Sequence, residues 1–72
     1  MTLNQVDTRG RSCPEPVLLA KKAIERFPEG VQVIADNTAA WNNIIRFAKN
    51  AGYNVETVKE GSDYILTLIR QD

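Results

Sequence analysis

Cys13-Pro-Glu-Pro-Val-Leu-Leu-Ala-Lys-Lys-Ala-Ile-Glu-Arg-Phe-Pro-Glu-Gly-Val-Gln-Val-Ile-Ala-Asp36 changes its hydrophobic period two thirds of the way along, and the change sets the architecture. Val17, Ala20, Ile24 and Phe27 recur at the spacing of one helix face, while Lys21, Lys22, Glu25 and Arg26 fall mainly on the other. Pro14 and Pro16 open this pattern to about Phe27, since a proline at the first helical position gives up an N–H that a helix start leaves unpaired anyway. Pro28-Glu29-Gly30 closes it with a proline beyond the last turn and a glycine. Val31 to Asp36, short and β-branched, then reads as a strand.

Outward from this segment the same reasoning covers the chain. Upstream, Leu3 to Asp7 reads as a first strand, joined by the polar connection Thr8-Arg-Gly-Arg-Ser12. Downstream, Asn37 or Thr38 can cap a second helix by accepting from a free first-turn N–H. That helix runs to about Ala51, with Ala40, Ile44, Phe47, Ala48 and Ala51 as its buried stripe and Gly52 as its stop. Val55 to Glu60 is a third strand and Tyr64 to Arg70 a fourth, with Gly61-Ser62 and Asp63 as hairpin chemistry between them. The order β-α-β-α-β-β, without repeats, predicts an α+β two-layer sandwich: a four-stranded mixed sheet with two helices on one face. Tyr64-Ile-Leu-Thr-Leu-Ile69 is apolar on both faces, as a central strand shielded by its neighbours or as an open face for a partner. Trp41 has the same two readings, core or partner contact. Asn42 and Asn43 read as a solvated helix face, and Lys21, Lys22, Arg46 and Lys49 as solvent-facing charge.

Seventy-two residues make one small domain, 1–72, which buries only about 60% of the surface its unfolded chain exposes. Nine basic and nine acidic residues cancel, which argues against non-specific nucleic-acid or membrane-surface binding. No apolar run approaches the roughly 18 residues needed to cross a bilayer, and Met1 to Gly10 shows no signal-peptide pattern. One cysteine and no histidine make a protein-only zinc or iron–sulfur site improbable and predict neither metal nor organic cofactor. A single thiol in such a chain points to the reducing cytoplasm.

The chemistry gathers at Cys13. With Pro14 as the first helical residue, Cys13 falls at or near the N-cap, close to first-turn N–H groups and the positive end of the helix dipole. That setting favours thiolate over thiol, and Arg9 and Arg11 just upstream add positive charge. No histidine stands by as a general base and no second cysteine can resolve a disulfide, so hydrolase and thioredoxin-like chemistry are poorly supported. A lone activated thiol can still accept a group from one protein and give it to another. The alternative is a buried, inert cysteine acting as a small hydrophobe, but Ser12, Glu15 and two arginines around Cys13 predict exposure.

Asp7-Thr-Arg-Gly10-Arg-Ser-Cys13-Pro14-Glu15-Pro16-Val17 resembles the signature of the TusA/SirA/YedF family of small sulfur-carrier proteins: an aspartate, a glycine three residues on, then Cys-Pro-x-Pro opening the first helix. The resemblance spans essentially the whole chain, including Val31 to Asn37 and the closing hairpin. It implies a sandwich similar to the C-terminal domain of translation initiation factor 3, and a persulfide carried on Cys13. Around it, Asp7 is expected to bond loop N–H groups or hold an arginine, and Gly10 to supply a backbone conformation other residues resist. Glu15 suits the helix dipole but opposes a thiolate, so its role is structural or partner-selecting. Ser12 and Arg11 stand where the tRNA-thiolation carriers usually have an arginine and an apolar residue, which shifts the positive charge by one position. Asp36 to Tyr53 is closer to the YedF-like branch, linked to selenium metabolism, where such a domain often precedes a DsrE-like domain; the chain would then be an N-terminal domain of a longer one.

The implied function is sulfur relay. Cys13, supported by Asp7, Gly10, Arg11, Pro14, Glu15 and Pro16, takes a persulfide sulfur from a cysteine desulfurase or rhodanese-type donor and passes it to an acceptor protein. The alternative is a non-catalytic interaction or regulatory domain tied to selenium or redox metabolism. RNA binding by analogy with the initiation-factor fold lacks the basic, aromatic surface it needs.

Overall fold

The computed structural model describes residues 4–71. Its order is β1 (Asn4–Asp7), α1 (Glu15–Arg26), β2 (Gly30–Ala35), α2 (Thr38–Asn50), β3 (Tyr53–Glu60) and β4 (Asp63–Arg70). The expected two-layer arrangement is present: one four-stranded mixed sheet, ordered β1-β2-β4-β3, with α1 over β1 and β2 and α2 over β4 and β3. β1 runs parallel to β2, whereas β4 is antiparallel to both β2 and β3. The parallel pair obliges the chain to cross over through α1.

Alternation along the strands selects the core. Val31, Val33 and Ala35 of β2 and Leu66 and Leu68 of β4 are all fully buried beneath the helices. Ala20, Ala23 and Ile24 of α1 and Ala40, Ile44 and Ala48 of α2 meet them, and Val6, Trp41, Phe47 and Val55 pack around the margin. The small side chains let both helices approach the sheet closely. β4 lies between two strands, as the first of its two readings has it; on its second face Ile65 and Thr67 are half-buried and Ile69 is exposed. Trp41 joins the core margin, stacking on Tyr64 with ring centroids 5.1 Å apart and donating from Nε1 to Thr57 Oγ1.

Several boundaries differ from the sequence reading. Leu3 lies outside the described residues, so β1 is observed from Asn4. Helix α1 begins one residue late, at Glu15, because the first i→i−4 bond is donated by Leu18 N–H to the Pro14 carbonyl. Pro14 is therefore the cap, joined to Cys13 by a cis peptide bond, and Pro16 rather than Val17 turns fully inward. Gly30 opens β2 instead of ending the helix, and Asp36 falls outside that strand. Asn37, not Thr38, caps α2, its side chain accepting from Ala40 N–H at 2.8 Å. Ala51 is exposed at the end of α2 and leaves the buried stripe. β3 starts two residues early because Tyr53 is buried and donates its hydroxyl to the Pro28 carbonyl at 2.7 Å. Asp63 pairs with Glu60 as the first residue of β4, leaving Gly61 and Ser62 as a two-residue turn. Gly61, with φ of 62°, takes the first central position, the pattern of a type II′ turn.

Candidate functional site

Parallel β1 and β2 both lead, at their carboxyl ends, into the start of a helix. The starts of α1 and α2 therefore lie side by side at one edge of the sheet, the place where α/β architectures commonly bind ligands. Between them is a cleft of about 290 Å³, walled on one side by Arg11, Ser12, Cys13, Pro14, Pro16 and Val17, and on the other by Asn37, Ala39, Ala40 and Asn43. Cys13 is exposed, as expected, and its sulfur faces this space. Asn43 Nδ2 approaches Cys13 Sγ at 3.9 Å.

The loop that carries the cysteine is held from below. Thr8, buried at the end of β1, donates both its backbone N–H and its hydroxyl to the Ile34 carbonyl, at 2.9 and 2.6 Å. Gly10 then turns the chain with φ of 77°, a left-handed conformation that side-chain-bearing residues resist. Space is not the constraint there, since a Cβ would meet no atom within 4 Å. The Gly10 N–H donates to Asp36 Oδ2 at 2.9 Å, while Asp36 Oδ1 accepts from the Asn37 amide. These two bonds hold the Asp36 carboxyl below its ordinary range, the Gly10 N–H contributing most. Asp36 thus ties the cysteine loop to the residue that caps α2, and so links both walls of the cleft.

Asp7 fills both roles proposed for it. Its Oδ1 accepts from the Arg9 N–H and Nε, and its Oδ2 from Arg9 Nη2 at 2.8 Å. These bonds from Arg9 lower its carboxyl to about 2. Neither Asp7 nor Gly10 lines the cleft; both act on the loop leading to it. Arg9 does not add its charge to the sulfur as expected, because Asp7 and Asp63 engage its guanidinium. Arg11 does line the cleft but pairs with Glu15 at 3.2 Å, so part of its charge is answered one helical turn away. Such exposed pairs contribute little to stability.

The expected ring of α1 N–H groups around the sulfur is also thinner than the sequence suggested. Pro14 and Pro16 have no N–H, and the Glu15 N–H is taken by the Ser12 carbonyl at 2.9 Å. Val17 retains the one first-turn N–H of α1 without an acceptor among the described residues. At the start of α2 the Thr38 and Ala39 N–H groups also have no acceptor among the described residues, and Ala39 lines the cleft. Asn43 was read as solvated surface. It is instead half-buried on the cleft side, four residues after Ala39. The available signal was an asparagine, a poor helix former, inside a helix and three residues from the buried Ala40.

The fold and site together define a small α+β domain that presents its single thiol, exposed, between two helix starts. The chain belongs to the TusA family: the family model described as sulfurtransferase TusA matches residues 4–71. It is 37% identical over 73 residues to a protein of Methanocaldococcus jannaschii named "putative sulfur carrier protein", a match covering 99% of this chain and 97% of that one. A relative of the same name from Archaeoglobus fulgidus is 33% identical, covering 93% and 90% of the two chains. The crystal structure of the SirA-like protein of Desulfitobacterium hafniense superposes with a TM-score of 0.86 at 30% identity, covering 97% of this chain and all of that one. Among the described residues no helix is long and apolar enough to cross a membrane.

Proposed function

We propose that this chain is a sulfur-relay carrier and that Cys13 is the residue that bears the sulfur. The observation that carries the reading is the exposed Cys13 thiol on the wall of a cleft between two helix starts, in a chain of the TusA family. In the loading step the Cys13 thiolate attacks the outer sulfur of a donor persulfide, R–S–SH. A new bond forms from Cys13 Sγ to that sulfur, the donor's S–S bond breaks, and the donor leaves as the thiolate R–S⁻. The sulfur keeps its oxidation state and its proton, giving Cys13–S–SH. Unloading repeats the exchange, with an acceptor thiolate attacking the outer sulfur and Cys13 leaving.

The donor class that fits is a protein that forms a cysteine persulfide, of the cysteine desulfurase or rhodanese type, and the acceptor is a protein with a reactive thiol. Exposure of Cys13 supports exchange between proteins, since neither partner's sulfur has to enter a core. The single free thiol fits a reducing, cytoplasmic setting. The test is incubation with a cysteine desulfurase and cysteine, followed by intact mass measurement. The chain gains the mass of one sulfur atom, reversed by reductant, and Cys13→Ala does not. Absence of that mass, or its equal appearance on Cys13→Ala, rules the proposal out.

A further inference from the structure

Asn43 projects from the second turn of α2 into the cleft, and among the described residues the only hydrogen-bond partner of its amide is Cys13 Sγ. The separation of 3.9 Å is long even for a sulfur acceptor. A persulfide changes the geometry. Its outer sulfur lies about 2 Å beyond Sγ. When the S–S bond points into the cleft at roughly 60° to the Sγ–Nδ2 line, that atom stands about 3.4 Å from the amide nitrogen, and a smaller angle brings it nearer. The amide is thus too far to serve the bare thiol well and correctly placed for the loaded form. It is also unengaged elsewhere among the described residues, so it can follow the added sulfur.

The geometry points to Asn43 as the residue that holds the outer sulfur of loaded Cys13. This inference rests on the sulfur-carrier reading and extends it. The amide N–H donates to the outer sulfur, favours its anionic form and keeps it in the cleft, away from reductants and unselective electrophiles. A donor N–H here does not transfer its proton; it lowers the energy of the charged form by hydrogen bonding. The cleft admits the sulfur because the neighbouring α2 wall is Ala39 and Ala40, which project little into it.

The test uses the whole chain loaded with inorganic polysulfide, so that no partner protein enters the result. Asn43→Asp keeps the shape but replaces the donor with a negative charge, and Asn43→Leu keeps the bulk without polarity. The loaded fraction is followed by intact mass during challenge with dithiothreitol, and the pH dependence of persulfide alkylation is recorded in parallel. Both variants lose the sulfur about tenfold faster than the parent, and Asn43→Asp moves the alkylation profile to higher pH. Asn42→Ala, on the exposed neighbour, behaves as the parent. If the parent loads but both Asn43 variants keep its decay rate and pH profile, this inference is overturned while the carrier reading stands. If the parent does not load on Cys13, both fall.

Discussion

Asp36 links three parts of the site through two oxygens, and its consequences appear on acidification. The Gly10 N–H and the Asn37 amide both favour its charged form, as Arg9 does for Asp7. The folded-state values lie below the ordinary one, from 3.8 to about 2 for Asp7 and in the same direction for Asp36. Their contribution is fully present above the ordinary value and is lost as pH falls below it, toward about 2 in the case of Asp7. Thermal melts between pH 5 and pH 2, followed by circular dichroism, therefore show a decline that is smaller in the Asp7→Asn, Asp36→Asn double variant; an equal decline contradicts the assignment. At this scale the sequence was readable where a residue has a strong intrinsic preference. Gly10 announced its left-handed turn, and the flanking polar residues announced the exposure of Cys13. Asn43 and Asp36 were not readable, because their roles depend on which remote element faces them: Asn43 meets Cys13 thirty residues away, and Asp36 meets Gly10 twenty-six away.

Helices and strands were legible as periods and less so at their ends. The apolar spacing in α1 and α2 and the β-branched run in β2 express burial, which side chains record directly. The ends are set by hydrogen bonds that side chains record only indirectly. Pro14 marked the start of α1 but could not reveal that its own carbonyl is the first acceptor, which moves Cys13 one place outside the cap. At α2 two residues were eligible for the cap, and only the observed bond from Ala40 N–H selects Asn37. Asn37→Ala removes that bond and costs about 1 kcal/mol of stability, read as a lower urea midpoint with an unchanged slope. Thr38→Ala leaves the cap bond intact and shifts the midpoint less. The charges near the site show the same division. The pairing of Arg9 with neighbouring Asp7 was visible in the chain, but its second partner, Asp63 at the start of β4, and the Glu15 partner of Arg11 on α1 belong to the assembled elements.

For the molecule as a whole, a chain of 72 residues has a stability on the order of 4–11 kcal/mol. Leu66 and Leu68 sit fully buried on the central strand β4, where α2 and both neighbouring strands converge. Leu68→Ala therefore removes about 2–5 kcal/mol, a large part of the total, and its urea transition moves to much lower denaturant. A loss under 1 kcal/mol would show that the core is not closed around it. The sheet order has one more consequence, for motion. Among the described residues β1 is a four-residue edge strand paired only with β2, and the cysteine loop follows from its end. Amide deuterium exchange is therefore fastest in β1 and the loop after it, through openings that leave β2 and β4 protected. The loop that carries Cys13 thus belongs to the part of the molecule that can breathe without unfolding the rest.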